Sequence, residues 1–258
     1  MQETISFLTD SGIELCGILS GPVPCSRNPV AVLCHGFSTG KHSRTGVALE
    51  GILNAAGVAT FRFDLFGHGD SGGDIADLTI SEAVDDVLSA LELVRRRGYG
   101  RLGLMGSSFG GLASVLAAPA SPDLRCLALK SPVSDYLGRL IADRDRKSLE
   151  EWRDRGFLTL TDDEGRSLRL NYSFYEDAET ARGFESAPGI KVPTLVVHGE
   201  ADETVPVMQS RRLVALLPQG DLEVLVGADH RYSRKMDFDH MLRRISGFLI
   251  DHLRRERR

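Results

Sequence analysis

The chain has no uninterrupted apolar run of the roughly 20 residues that a membrane-spanning helix needs. Its first residues, from Met1 to Phe7, combine neither a basic start nor a long apolar stretch, so no secretory signal is expected. Basic residues are in the minority: 31 Lys and Arg face 36 Asp and Glu, for a formal net charge of −5. This leaves no general positive field to attract nucleic acid. The terminal Arg254-Arg255-Glu256-Arg257-Arg258 is locally basic, follows a helical pattern and suits the negative end of a helix or a frayed tail. Cysteine is scarce too. Cys16, Cys25, Cys34 and Cys126 show no paired metal-type spacing. Three of them sit in strand-like apolar runs, where a reduced thiol behaves as a small hydrophobe, and a reducing cytoplasm is the expected compartment.

What is present is enough apolar sequence for one sizeable domain: 258 residues, 42% hydrophobic and 26% charged. Residues 4–8 and 13–19 flank Asp10-Ser11-Gly12 and read as an antiparallel hairpin. Apolar runs at 30–34, 58–63, 101–105, 124–129, 194–197 and 222–226 then alternate with helical patterns near 43–56, 81–97, 109–118, 206–217 and 239–254. Ser81 and Asp85 mark a start and Gly98 a stop for the second helix. The strand middles are nearly continuous Val, Leu and Ala, as in a sheet covered on both faces. The expected fold class is α/β, a mostly parallel doubly wound sheet with an antiparallel N-terminal hairpin.

Residues 133–188 break the rhythm. They are rich in charge and carry Trp152, Phe157, Tyr172, Phe174, Tyr175 and Phe184. A connection of this length carries function or structure of its own. We therefore expect a core formed by 1–132 and 189–258 and an inserted cap at 133–188, helical over 137–155. Its aromatics either line a substrate cleft, with Trp152, Tyr172 and Tyr175 as the candidates, or attach the insert to the core.

The chemistry-bearing stretch is Gly106-Ser107-Ser108-Phe109-Gly110, between an apolar strand and a run of small and aliphatic residues. Glycines two positions either side of Ser108 permit a sharp strand-to-helix turn with the hydroxyl at its apex. The pentapeptide arises often by chance, so its surroundings must decide. Two later strands end in His198-Gly199-Glu200-Ala201-Asp202 and Gly227-Ala228-Asp229-His230. In a parallel sheet all strand C-termini share one edge, so Ser108, Asp202 and His230 can converge. His230 would take the Ser108 proton, Asp202 would orient the imidazole, and the backbone N–H groups of Phe37 and Phe109 would hold an oxyanion. No metal or other cofactor is needed.

Five segments together resemble the α/β-hydrolase superfamily: Cys34-His35-Gly36-Phe37, the loop from Asp64 to Ser71 with Gly67-His68-Gly69-Asp70, Gly106 to Gly110, His198 to Asp202, and Gly227 to His230. The first two are most similar to the branch holding cinnamoyl (feruloyl) esterases and related small carboxylesterases. That resemblance implies an α/β-hydrolase fold and a serine carboxylesterase acting on a small-molecule ester. It also implies Ser108, Asp202 and His230 as nucleophile, acid and base, and Phe37 and Phe109 as oxyanion donors. Two features depart from the branch. Ser107 stands where many relatives carry histidine, and the insert matches no cinnamoyl-esterase motif.

Among competing residues, Ser107 lies one position off the apex, and Glu200 and Glu203 lie off the Asp202 position. Asp229 is expected to serve its turn, while His35, His68, Asp64 and Asp70 are expected to fix loops. Alternative functions are a thioesterase or peptidase-like acyl hydrolase with the same three residues, or a non-catalytic binding protein on this fold. No nucleic-acid or membrane partner is expected. Pairing into a homodimer, through an edge strand or the insert, would leave no signal in the sequence.

Overall fold

The computed structural model describes residues 2–25, 27–138, 146–161, 165 and 167–255. Part of the expected helix at 137–155 (residues 139–145) and part of the basic terminus (256–258) lie outside the described residues.

The opening hairpin pairs β1 (Gln2–Leu8) with β2 (Glu14–Ser20) in antiparallel register, Gln2 opposite Ser20 and Leu8 opposite Glu14. Gly12 takes φ +84° in the turn, a conformation that favours glycine. Strand β2 then runs antiparallel to β4 (Ala59–Phe63). From β4 onward every pairing is parallel, through β3 (Pro29–Cys34), β5 (Arg101–Ser107), β6 (Leu124–Lys130), β9 (Thr194–Gly199) and β10 (Gly220–Leu225). The described order across the sheet is β1-β2-β4-β3-β5-β6-β9-β10. After the hairpin the chain enters the parallel part at β3, steps to β4 on one side and then through β5, β6, β9 and β10 on the other, as expected for a doubly wound sheet.

Period-two alternation divides the core into two layers. Val30, Val32 and Cys34 of β3 join Leu102, Leu104, Leu127 and Leu129 on one face. There they meet α2 (Ile80–Arg96) through Ala83, Val87 and Val94. Ala31 and Leu33 point to the other face with Met105, Ala128 and Val197. That face is covered by α1 (Arg44–Ala55) and by the C-terminal helix α8 (Lys235–Arg254). Helix α3 (Phe109–Ala117) follows β5 on the first face, and α7 (Val207–Leu216) joins β9 to β10. Helix α8 begins four residues before the expected position, and β10 ends at Leu225, leaving Val226 78% exposed.

The long connection between β6 and β9 carries α4 (Arg146–Arg155), the hairpin β7 (Phe157–Thr161) with β8 (Ser167–Asn171), α5 (Ser173–Ala178) and α6 (Gly183–Ser186). The hairpin was not expected. Its signal is the alternation of Leu158 and Leu160 with Leu168 and Leu170, which pair across the strands as Leu158 with Leu170 and Leu160 with Leu168.

Helix α2 begins earlier than the Ser81 signal suggests. Thr79 caps it by accepting from the Glu82 N–H at 3.0 Å. Asp177 of α5 adds a cap from far along the chain, accepting from the Ile80 and Ser81 N–H groups at 2.7 and 2.9 Å. Within α2, Asp86 is fully buried and accepts from the Phe66 N–H at 2.7 Å, anchoring the loop after β4. Its other oxygen has no partner among the described residues. Burial pushes this carboxyl up to about 8. A buried acid of this kind holds its proton when folded and ionises when unfolded. Its stabilising contribution is complete below the ordinary carboxylate pKa of about 4 and is lost as pH rises toward 8. Asp86→Asn removes that titration and keeps an acceptor for Phe66. Denaturant midpoints at about pH 5 and about pH 8 should show the variant gaining on the native protein at the higher pH; parallel behaviour would contradict this.

Candidate active site

The turn from β5 into α3 sets the geometry of the site. Ser108 adopts φ +52° and ψ −114°, outside the usual regions for a side-chain-bearing residue. Its own backbone is held on both sides. The Ser108 N–H donates to the Lys130 carbonyl at 2.9 Å, and its carbonyl accepts from the Gly111 and Val133 N–H groups at 2.9 and 3.1 Å. The flanking glycines are required by contact. A Cβ on Gly110 would lie 2.1 Å from the His35 carbonyl oxygen and 2.7 Å from Cys34 Sγ; one on Gly106 would lie 2.4 Å from Ser114 Oγ and 2.6 Å from the Gly110 carbonyl oxygen.

His230 follows the last strand. Its Nε2 stands 3.1 Å from Ser108 Oγ, and its Nδ1 lies 2.6 Å from Asp202 Oδ2. The Asp202 side chain is buried, and four donors surround its carboxylate. The Thr204 and Val205 N–H groups reach Oδ1 at 2.9 and 2.7 Å, while His230 Nδ1 and His198 Nε2 reach Oδ2 at 2.6 and 3.1 Å. Burial works to raise its pKa, but the hydrogen bonds from His198 and His230 prevail and hold it well below the ordinary carboxylate range. His198 is itself fixed, with Nε2 also directed at the Val205 carbonyl at 2.9 Å and Nδ1 at Ser210 Oγ at 2.6 Å. The imidazole at position 230 therefore has an ionised partner at Nδ1 and its Nε2 toward the serine, the arrangement for accepting a proton from Ser108.

The loops after β3 and β4 form the opposite wall. His35 is buried; its Nδ1 faces the Gly36 carbonyl at 2.7 Å, and its Nε2 accepts from the Leu65 N–H at 3.0 Å. Burial and the neighbouring His68 lower its pKa to about 3, so it stays neutral and acts as a strut between the two loops. His68 does the same in reverse, accepting from the Ser38 N–H at 3.3 Å and facing the Phe66 carbonyl at 2.8 Å. Asp64 accepts from the Lys41 and Asp70 N–H groups at 2.6 and 2.9 Å and pairs with the Lys41 ammonium. These bonds set the position of Phe37, whose ring meets the Phe109 ring edge-on at 5.9 Å. Among the described residues, neither the Phe37 nor the Phe109 N–H donates to a protein acceptor. Phe109 opens α3, where helix geometry leaves its N–H free.

A cleft of about 550 Å³ opens beside Ser108, lined by Phe37, Phe109, Ser107, His230 and, from the connection after β6, Tyr136, Leu160 and Leu168. Trp152, Tyr172 and Tyr175 do not line it. Trp152 is buried, donates from Nε1 to the Leu170 carbonyl at 3.2 Å and meets both tyrosine rings edge-on; those two rings stack at 5.2 Å. They bind α4, the hairpin and α5 to one another, so these three aromatics hold the insert together and do not face the cleft. Sequence reasoning overlooked Tyr136, Leu160 and Leu168, and gave no role to His198 or Lys130. Lys130 is buried at the end of β6 and donates to the His230 carbonyl at 2.9 Å; burial lowers its pKa to about 8. Its only sequence signal is a lysine closing an otherwise apolar strand. Among the described residues no group of three or more His, Cys, Asp or Glu is placed to hold a metal ion.

The crowding around Gly110 gives a direct test. Gly110→Ala should push the turn away from β3 and cost about 1–3 kcal/mol in denaturant unfolding, with loss of whatever hydrolysis the native protein shows. Unchanged stability and activity would contradict this packing.

Comparison with known proteins agrees with the fold. The mouse (Mus musculus) palmitoyl-protein thioesterase ABHD10, mitochondrial, is 29% identical over 234 residues, covering 88% of this chain and 77% of its own. The ferulic-acid-bound structure of Est1E from Butyrivibrio proteoclasticus superposes with a TM-score of 0.83 at 25% identity, covering 97% of this chain and all of that one. The mouse alpha/beta hydrolase domain-containing protein 10 gives a TM-score of 0.81 at 26% identity, covering 96% and 99% of the two chains. The alpha/beta hydrolase family matches residues 31–241. With fold, strand-end motifs and sequence match in agreement, this chain belongs to the alpha/beta hydrolase family.

Proposed function

We propose that the protein is a serine hydrolase that cleaves carboxylic esters of small or medium acyl groups through an acyl-enzyme on Ser108. The observation that carries this reading is the unbroken chain of contacts from Ser108 Oγ to His230 Nε2 and from His230 Nδ1 to Asp202. Ser108 Oγ bonds to the substrate carbonyl carbon as its proton passes to His230 Nε2. The resulting oxyanion accepts from the Phe37 and Phe109 N–H groups. Each such donor contributes about 3 kcal/mol to the transition state. Collapse re-forms the carbonyl and breaks the bond between its carbon and the alcohol oxygen, and His230 returns the proton to the departing alcohol. Water, deprotonated by His230, then releases the acid and restores Ser108.

Residues 133–188 act in this scheme as a cap on the core formed by 1–132 and 189–258. Tyr136, Leu160 and Leu168 of that segment reach the cleft and supply an apolar surface for the acyl group. The name of the mouse relative favours a second reading, in which the same residues cleave a thioester. Our assignment to the cytoplasm rests on the unpaired state of all four cysteines. No helix among the described residues is long and apolar enough to cross a membrane. The mouse relative is named as mitochondrial, and cell fractionation distinguishes the two compartments.

Side-by-side assay of nitrophenyl esters, acyl-coenzyme A and aminoacyl amides, matched in acyl chain, tests the bond. Esters should turn over fastest; if they do not, the ester reading fails. Ser108→Ala should lower kcat by about 10⁶ and Asp202→Asn by about 10⁴. Hydrolysis that survives Ser108→Ala would remove Ser108 from the mechanism and leave the protein a binding module or a different enzyme.

A further inference from the structure

The cleft beside Ser108 has a charge character that acyl transfer does not require. Its lining includes Lys41, Arg44, Arg62, Lys130 and Arg231 but no Asp or Glu among the described residues, in a chain of net charge −5. Apart from Arg44, these cations have partners of their own. Lys41 pairs with Asp64 and Asp70, Arg62 pairs with Glu50, and Lys130 holds the His230 carbonyl.

Arg44 differs. Its side chain is exposed, and its guanidinium carbon lies 3.6 Å from the centroid of the Phe238 ring. Among the described residues it pairs with no carboxylate. Stacking on the ring holds the guanidinium plane in place and leaves its N–H edge available. Helix stability does not account for the residue, because Arg44 opens α1, whose first turn has no acidic residue and whose positive end disfavours a cation.

The location of Arg44 is also informative. Phe238 lies in the first turn of α8, eight residues after His230, and Arg231 follows His230 directly and lines the same cleft. His230 must deliver its proton to the leaving group, so this side of the cleft faces the group being released. Building on the proposed ester or thioester hydrolysis, we infer that the leaving-group side of the cleft binds an anionic group, a carboxylate or a phosphate carried by the released alcohol or thiol. Arg44 is the specificity-determining cation. The apolar side chains Tyr136, Leu160 and Leu168 leave the acyl group uncharged.

Two substrate pairs with a common acyl group test this. One compares 4-butanoyloxybenzoate with its methyl ester and reads a carboxylate. The other compares butanoyl-coenzyme A with butanoyl-N-acetylcysteamine and reads phosphate. In at least one pair the anionic member should have a kcat/KM about tenfold higher, as for a hydrogen bond to a charged group. That ratio should fall as salt rises from about 20 mM to about 500 mM. Arg44→Gln should bring it to within about twofold of unity, and Arg44→Lys should restore part of it. Ratios near unity in both pairs, or a ratio unchanged in Arg44→Gln, would overturn the inference. Calorimetric titration of Ser108→Ala protein with the four released groups reads the same preference without turnover. Failure to hydrolyse any of the four substrates therefore counts against the proposed reaction, whereas equal affinity within both ligand pairs counts against the anion site.

Discussion

The organising constraint of this molecule is the backbone of one serine. A residue with a side chain pays for φ +52° in conformational strain of about 1–3 kcal/mol, and it keeps that conformation only when its surroundings allow no other. Those surroundings are visible on every side. Strand β6 receives the Ser108 N–H, the backbone at Gly111 and Val133 holds its carbonyl, and β3 approaches Gly110 so closely that no Cβ fits. The strand order places β5 between β3 and β6, so both neighbours that hold the turn are sheet partners. The hydroxyl is presented at the sheet's C-terminal edge because the sheet leaves the turn nowhere else to go.

A second layer of order comes from buried polar groups that are almost fully satisfied. Four donors fill the acceptor sites of the Asp202 carboxylate, fixing both its charge and its direction. His198 supplies one of these donors and is itself held by Ser210 and the Val205 carbonyl. On the opposite wall His35, His68, Lys41 and Asp64 bind the loops after β3 and β4 to one another. These are neutral or paired groups in low-dielectric surroundings, where an unfilled bond would be costly and a filled one rigidifies. The Phe37 and Phe109 N–H groups stand out against that background because no acceptor among the described residues takes them.

Much of this was legible in the sequence for definite physical reasons. Buried parallel strands read as continuous Val, Leu and Ala, and the parallel topology itself brings the segments ending at Ser108, Asp202 and His230 to one edge. The loop-fixing roles of His35 and Asp64 followed from their position in glycine-rich strand ends. Less was legible where contacts are long-range. Nothing local to residues 79–82 announces that Asp177 caps the same helix end. Trp152, Tyr172 and Tyr175 show the same difficulty, since an aromatic that holds an insert together and one that faces a cleft have the same composition; only their mutual ring contacts decide. The hairpin at 157–171 did carry a readable alternation, which the surrounding charge obscured.

The account depends on Ser108 forming a covalent bond to the acyl group. The most direct measurement is to mix the protein with a slowly deacylating ester, quench in acid, and locate the added mass by fragmenting the peptide that spans Ser107 and Ser108. The account predicts near-stoichiometric acylation of Ser108 Oγ, cleared as free acid is released. An adduct on Ser107, or ester turnover with no adduct at either serine, would contradict it.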